Sequence, residues 1–218
     1  TKNGKKYRKI SKSQEAANYS LDPSVPDEGN MFSAIADMAP WQNGHKAPVF
    51  AHLDAAYDGK DWTALSIGQR LPDGRIQVTG FAWPKHVELC EAEILSACRV
   101  FKVTRFTEER NADKGYSLKS LQAAFRAAGL PIIIPKDNKG NLGYQESQNK
   151  HVKITSFLLK HWANLVWNSE CQEEYKSLVT SYREGEEPDD PPDSLASLLR
   201  ECFDDRSTVA KSKSPLLM

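Results

Sequence analysis

Three acidic residues stand where a carboxylate has no obvious structural purpose, and all three are of a type that binds divalent cations. Asp54 follows Phe50–Leu53 in the most apolar strand-like stretch of the chain. Glu109 ends a later strand-like stretch, and Asp193 closes a run with six acids in ten residues. A lone buried carboxylate costs on the order of several kcal/mol unless a partner or a metal compensates it. Crowded acids also repel each other unless cations bind them or solvent surrounds them.

Carboxylate oxygens are suited to Mg²⁺ or Mn²⁺, hard ions that prefer oxygen ligands and keep several waters. Two such ions roughly 3.5–4 Å apart activate a water and stabilise the leaving oxygen during phosphodiester cleavage. Each acid also has a structural alternative. Asp54 could bond to backbone at a strand edge, Glu109 could be a solvated strand end, and Asp193 could be a helix N-cap. Because all three fall at strand or helix ends that can meet, we favour a site for two metal ions.

The residues around these acids predict a mixed sheet with helices on both faces. Strands are predicted at Pro48–Ala56, Thr63–Gln69, Arg75–Phe81, Val103–Thr107 and Ile132–Ile134. Helices are predicted from Pro84 to Phe101, from an N-cap at Ser117 to a stop at Gly129, from Gln148 to Trp162, and at Tyr175–Tyr182 and Leu195–Phe203. The fourth and fifth strands are each reached through a helix, which implies parallel pairing through right-handed crossovers. This order predicts an α/β, ribonuclease H-like fold with a mixed sheet of five or more strands.

The predicted order also explains how the acids would meet. The fourth strand lies beside the first, so Glu109 at its end can approach Asp54. Asp193 heads the last helix and can reach the same point, with Asp190 assisting. We therefore expect Asp54 to bridge two ions, with Glu109 on one side and Asp190 and Asp193 on the other.

Four short motifs resemble, in the same order, those of the nuclease domain of phage large terminase subunits. They begin at Asp54 with Asp61 in the following turn, at Glu109 as Glu-Arg-Asn, at Lys150 as Lys-His-Val-Lys-Ile, and at Asp189 as Asp-Asp-Pro-Pro-Asp-Ser-Leu-Ala. Lys153 stands where that family has Arg, and Asp190 where some relatives have His. The resemblance implies a ribonuclease H-like, two-metal endonuclease that cuts concatemeric viral DNA during genome packaging in the host cytoplasm. It further implies a portal and a small terminase subunit as partners, and Asp61 as an accessory acid.

The rest of the chain suggests part of a larger protein. It begins with Thr, and it contains no Gly-x4-Gly-Lys-Ser/Thr loop to cradle ATP, so we expect the nuclease half of a motor whose ATPase domain lies elsewhere. Residues 1–46 read as a basic, partly disordered arm, 47–204 as the nuclease domain, and 205–218 as a flexible tail. No apolar run approaches the roughly 20 residues that span a bilayer. The four scattered cysteines are typical of reduced thiols, which favours a soluble, intracellular protein.

Positive charge is local, because the 29 Lys and Arg residues balance the 29 Asp and Glu residues. Lys136, Lys139, Lys150 and Lys153 are predicted to contact duplex DNA, although Lys136–Lys150 also reads as a plain surface loop. Two alternatives to the terminase prediction stay open. One is another ribonuclease H-like nuclease, such as a junction resolvase or a hybrid nuclease. The other is a catalytically degenerate module that binds nucleic acid or a partner. We expect the isolated domain to be monomeric.

Overall fold

A computed structural model describes residues 32, 35, 37–44, 46–57, 61–109, 115–137, 139–144 and 146–203. The strands are β1 (Met38–Ala39), β2 (Val49–Asp54), β3 (Thr63–Arg70), β4 (Ile76–Trp83), β5 (Arg105–Glu108) and β6 (Leu165–Asn168). The helices are α1 (Glu91–Val100), α2 (Tyr116–Ala127), α3 (Lys150–His161), α4 (Glu173–Thr180) and α5 (Asp190–Phe203). A 3-10 turn, Val87–Cys90, precedes α1, and another, Trp162–Asn164, follows α3.

The described strands form one mixed sheet in the order β1-β6-β4-β3-β2-β5. The antiparallel meander β2-β3-β4 is at its centre, as the turn at Leu71–Gly74 predicts. β5 pairs parallel with β2, and β6 pairs parallel with β4. The predicted adjacency of the first and fourth strands is therefore confirmed.

Helices cover both faces of the sheet and give it two apolar cores. On one face, α1 and α2 pack through Ile94, Cys98, Leu121 and Phe125, among other residues. On the other face, α3, α4 and α5 pack against β4 and its neighbours. Gly80 of β4 lets Tyr175 lie directly on the sheet, because a Cβ at this glycine would stand 2.2 Å from the Tyr175 ring. Three of the four cysteines are buried, and all four are free thiols.

The structure differs from the predicted elements in three places. Ile132–Ile134 is not a strand, since only Ile133 makes an isolated bridge to Arg105 at the outer edge of the sheet. The short strands β1 and β6, which the sequence pattern does not reveal, extend the opposite edge. Ser117 does not cap α2, because Gly115 is the N-cap and the Ser117 hydroxyl donates to Glu108 instead.

Most of the predicted arm lies outside the described residues, but its predicted boundary at residues 46 and 47 lies within them. Within the segment assigned to the arm, Phe32 is 2% exposed and packs in the core beside Trp162 and Tyr182. β1 also lies in that segment and pairs with β6. The folded unit therefore begins before residue 47. Residues 205–218, the predicted tail, lie outside the described part of the chain.

Candidate metal centre

Two of the candidate acids lie at the ends of neighbouring strands of the sheet, since Asp54 is the last residue of β2 and Glu109 directly follows β5. In the parallel pair β2–β5, Leu53 is opposite Glu108, so Asp54 and Glu109 come next along the two strands. Both acids line one cleft of about 230 Å³, together with Tyr57 and Asp61. Asp61 lies exposed at this cleft. The carboxyl ends of parallel strands meet at one edge of a sheet, which is why the fold brings these acids together.

The other candidate acids come from the start of α5. Asp190 lines the same cleft, as do Asp189 and Glu187, and these three residues offer carboxylate oxygens within 4.8 Å of one another. The backbone N–H of Trp62 donates to Asp190 Oδ2 at 2.9 Å, which fixes that carboxylate beside β3. Asp193 lies one turn further along α5 and is 5% exposed.

Two lysines of α3 lie among these acids. Lys150 Nζ is 2.5 Å from Asp189 Oδ1, 3.3 Å from Asp190 Oδ1 and 3.8 Å from Asp193 Oδ2. Lys153 Nζ is 2.7 Å from Asp193 Oδ1, and 3.4 Å from both Glu109 Oε2 and Glu146 Oε2. The side chain of Lys153 is only 1% exposed, whereas that of Lys150 is 39% exposed. Lys153 is therefore an internal counter-charge, placed to hold carboxylates rather than a phosphate on the surface.

The electrostatics of the acids follow from their burial. Burial and the negative charge of Asp193 raise the pKa of Asp54 well above its usual value. Burial also raises the pKa of Asp193, to about 6, although Lys153 and Lys150 oppose the shift. For Lys150, burial lowers the pKa, but the charges of Asp54, Asp190 and Asp193 outweigh burial and raise it. Burial thus favours the neutral form of Asp54 and Asp193, and the two lysines only partly oppose this effect.

The side chains present fit a hard divalent cation. Asp54 Oδ2 is enclosed and has no hydrogen-bond partner among the described residues. Such an oxygen is costly to bury unless a cation binds it. The available donors are all carboxylates, the ligand type that Mg²⁺ and Mn²⁺ prefer over softer metals. Asp54, Glu109 and Asp190 would hold such an ion from three separate elements.

Several residues of this region escape sequence reasoning. Glu146 lies in the loop before α3, and it joins Lys153 to Arg200, whose Nη1 is 2.6 Å from Glu146 Oε2. Behind Glu109, the buried Glu108 accepts hydrogen bonds from Tyr57 and from Ser117. Glu187 and Asp189 belong to the crowded acidic run, and Asp189 also begins the fourth motif, but neither pattern marks them as residues of the cleft. The loop position of Glu146 gives no periodicity that could have marked it.

The remaining predicted DNA contacts lie apart from the acids. Lys136 and Lys139 are exposed on the loop between α2 and α3. The four predicted lysines therefore divide into two pairs, with Lys150 and Lys153 among the acids and Lys136 and Lys139 on the surface.

Searches of solved structures find two phage large terminases and RuvC among the similar chains. The large terminase of one thermophilic bacteriophage matches with a TM-score of 0.51 at 12% identity, over 79% of this chain and 43% of that one. The zinc-bound large terminase nuclease of another thermophilic phage, G20c, gives 0.42 at 11% identity, over 76% of this chain and 95% of that one. RuvC of Thermus thermophilus matches with a TM-score of 0.40 at 17% identity, over 73% of this chain and 96% of that one. Only the first of these three exceeds 0.5.

The strand order and the first of these matches agree with the predicted class. The chain has a ribonuclease H-like fold. It spans less than half the length of that large terminase, and at this identity the likeness is one of fold alone. Scans against family models and curated proteins give no match. Within the described part of this ribonuclease H-like chain, no helix is long and apolar enough to cross a membrane.

Metal binding at this ribonuclease H-like centre should depend on pH. Asp193 has a pKa of about 6, and that of Asp54 is raised, so metal must displace protons below this pH. We expect the Mn²⁺ association constant to rise as pH increases through about 6, by up to about tenfold per pH unit for each proton that the metal displaces. Calorimetric titration of the metal-free chain from pH 5 to pH 7.5 measures this dependence. If the association constant did not change across that pH range, these acids would not bind the metal.

The same shifts predict the opposite trend for the stability of the metal-free chain. Because the folded-state pKa of Asp193 lies above its unfolded value, folding favours the protonated acid. Its stabilising contribution is complete at low pH and is lost as pH rises through about 6. Metal should therefore stabilise the protein most at the higher pH values, where the metal-free form is least stable.

Proposed function

We propose that this chain is a metal-dependent endonuclease that hydrolyses phosphodiester bonds of double-stranded DNA. The observation that carries the proposal is the meeting of Asp54, Glu109 and Asp190 in one open cleft, with an enclosed oxygen of Asp54 left without a partner among the described residues. Each oxygen of a buried carboxylate with a purely structural role would be expected to accept a hydrogen bond. The ribonuclease H-like fold is consistent with this activity but does not establish it.

In this proposal, Asp54, Glu109 and Asp190 hold two Mg²⁺ or Mn²⁺ ions, with Asp193 supporting them and Asp61 as an accessory acid. Bound ions of this kind supply an activated water and stabilise the leaving oxygen of the phosphodiester. The backbone N–H of Trp62 orients Asp190 through its 2.9 Å hydrogen bond. Lys153 keeps Glu109 and Asp193 directed toward each other, because its ammonium group contacts both.

A finer proposal concerns the biological setting. The four motifs in their order support a role in cutting viral DNA concatemers during genome packaging in the host cytoplasm. The chain would then act with an ATPase domain of the same protein, and with portal and small terminase partners. RuvC of Thermus thermophilus has been solved in complex with a Holliday junction substrate, so a junction is the natural competing substrate to test.

A plasmid-nicking assay tests the proposal directly. We expect Mn²⁺ to support cleavage better than Mg²⁺, because it binds such ligands more tightly. Millimolar rather than micromolar metal should be needed, as for open carboxylate sites that leave waters on the ion. Cleavage should stop in EDTA and fall steeply with added salt.

Parallel reactions with a four-way junction and an RNA–DNA hybrid separate the alternatives. If the chain cut the junction or the hybrid in preference to the duplex, its activity would be that of a resolvase or a hybrid nuclease rather than a duplex endonuclease. If no divalent ion supported cleavage of any of these substrates, this chain would not be a nuclease.

A further inference from the structure

A basic cleft lies beside the acidic centre, between α2 and the loop that precedes α3. Its lining residues are Gly115, Lys119, Gln122, Lys136, Gly140, Asn141 and Leu142, and its volume is about 390 Å³. Two ammonium groups and two side-chain amides face one space, and none of the lining residues is acidic. In composition this cleft is the opposite of the metal centre, which is lined by six acids.

The lysines of this cleft differ from other cations of the protein. Lys119, Lys136 and Lys139 are exposed, and no ion pair involves any of them among the described residues. By contrast, Lys85, Lys150 and Lys153 each contact at least one carboxylate. Helix α2 carries Lys119 and Arg126 and has no acid in its sequence. The positive charge of the cleft is therefore available to an external anion.

The walls of the cleft have defined positions. In the loop, Asp137 Oδ1 accepts hydrogen bonds from the backbone N–H groups of Lys139 and Asn141, each at 2.8 Å. Lys136 and Leu142 form an antiparallel bridge across the same turn. On the helix side, Lys119 Nζ lies 5.2 Å from the ring centre of Tyr116, whose side chain is 71% exposed. The lysines are thus presented on an ordered surface beside an exposed aromatic ring.

Both walls of the cleft contact Glu108, the last residue of β5. Ser117, two residues before Lys119, donates to Glu108, and Tyr57 of the acidic cleft contacts both residues. On the loop side, the backbone N–H of Tyr144 donates to the Glu108 carbonyl at 3.3 Å. Gly143 permits this approach, because a Cβ there would stand 2.7 Å from the same carbonyl oxygen. The basic and acidic clefts are therefore connected to each other through contacts with Glu108.

We infer that the basic cleft binds the phosphodiester backbone of duplex DNA and leads it to the acidic centre, with Lys119 as a contact that the sequence did not suggest. The inference rests on the proposed nuclease function. An acidic centre repels a polyanion, so a nuclease of zero net charge needs a separate cationic surface beside its metals. Lys119 and Lys136 line this surface directly, and Lys139 extends it at the tip of the loop.

The test compares two triple variants of the full chain that lose the same charge. In the first, Lys119, Lys136 and Lys139 become Ala. In the matched control, Lys46, Lys85 and Lys160 become Ala, three exposed lysines outside the cleft. Binding of a fluorescent duplex is measured by anisotropy over a range of salt, with Ca²⁺ in place of Mg²⁺, and gels confirm that the duplex stays intact.

For the cleft variant, the slope of log affinity against log salt should decrease in magnitude by roughly two to three, about one for each lost phosphate contact. The control should change little. Both variants should keep the wild-type melting temperature and calorimetric Mn²⁺ affinity, because the lysines involved are exposed and lie outside the acidic cleft.

The outcomes separate this inference from the proposed function. If wild type cleaved DNA but the cleft variant bound duplex with an unchanged slope, the cleft would not be the DNA surface and the nuclease proposal would stand. An equal loss in both variants would mean that only net charge matters, which also overturns the inference. If the wild-type chain did not bind duplex at all, both proposals would be wrong.

Discussion

Replacement of Asp54 by Asn should reduce metal-dependent cleavage by at least about 100-fold, the upper effect of changing a residue that merely supports a metal ligand. Asp54 ends a central strand and presents an enclosed oxygen without a hydrogen-bond partner among the described residues. An amide in its place keeps the size of the side chain but removes the anionic ligand. Nicking of plasmid at saturating Mn²⁺ measures the loss.

The same variant should fold at least as well as the wild-type protein without metal. Burial and the charge of Asp193 oppose ionisation of Asp54, which raises its pKa, so a neutral side chain relieves both penalties near neutral pH. The melting temperature should stay level or rise, while stabilisation by added Mn²⁺ should largely disappear.

Asp73→Asn is the matched control, because Asp73 lies in the turn at the far end of β3 from the cleft and pairs with Arg75. It should leave cleavage and the Mn²⁺ effect unchanged. A clear fall in the melting temperature of Asp54→Asn would instead make Asp54 a structural residue and place the metal centre elsewhere.

The sequence predicted the positions in this centre that strand pairing determines, which are those of Asp54 and Glu109. An apolar run ending in Asp54 and a helix leading to the Glu109 strand are enough to place these two residues side by side in a parallel pair. Asp190 follows from the crowded run at the start of α5. In each case the signal is local, a residue type at the end of a strongly patterned element.

Elements with little pattern of their own were not predicted. β1 has two residues and β6 has four, and they are strands because β1 pairs with β6 and β6 pairs with β4. The three isoleucines at 132–134 have high strand propensity, yet only Ile133 bridges to β5. The strand propensity of these isoleucines is not enough to form a strand here, because the segment lies at the edge of the sheet.

The lysines of α3 show a different limit. Their spacing of three residues predicts a shared helix face, and Lys150 and Lys153 do share one. What that face meets depends on how α3 packs against α5, which sequence spacing alone does not give. Phosphate was a reasonable partner for exposed lysines, but the structure places Lys153 against Glu109, Glu146 and Asp193.

This burial makes Lys153→Met the substitution with the largest expected effect on stability. Methionine fills a similar space without charge, so three carboxylates that are each at most 20% exposed lose their common cation. Removing one partner of a buried ion pair typically costs about 3–5 kcal/mol, and we expect a loss of unfolding free energy in that range near pH 7.5 without metal. Urea denaturation of the metal-free variant measures it.

Two further expectations identify the cause of that loss. It should shrink toward pH 5, because Asp193 already has a pKa of about 6 and would be protonated there without its lysine. It should also shrink when Mn²⁺ is added, because Glu109 and Asp193 gain another cation, so metal should raise the melting temperature of the variant more than that of the wild type.

Lys176→Met is the control for burying a methionine in place of a lysine. Lys176 is 7% exposed, but its one carboxylate partner among the described residues, Glu173, has a side chain that is 86% exposed. Because water can solvate Glu173 once the pair is gone, the cost should stay below about 1 kcal/mol and be independent of metal. If Mn²⁺ stabilised the Lys153 variant no more than wild type, Lys153 and the metal would not share carboxylates. The acids at the end of β5 and the start of α5 would then form a structural ion-pair network rather than a metal centre.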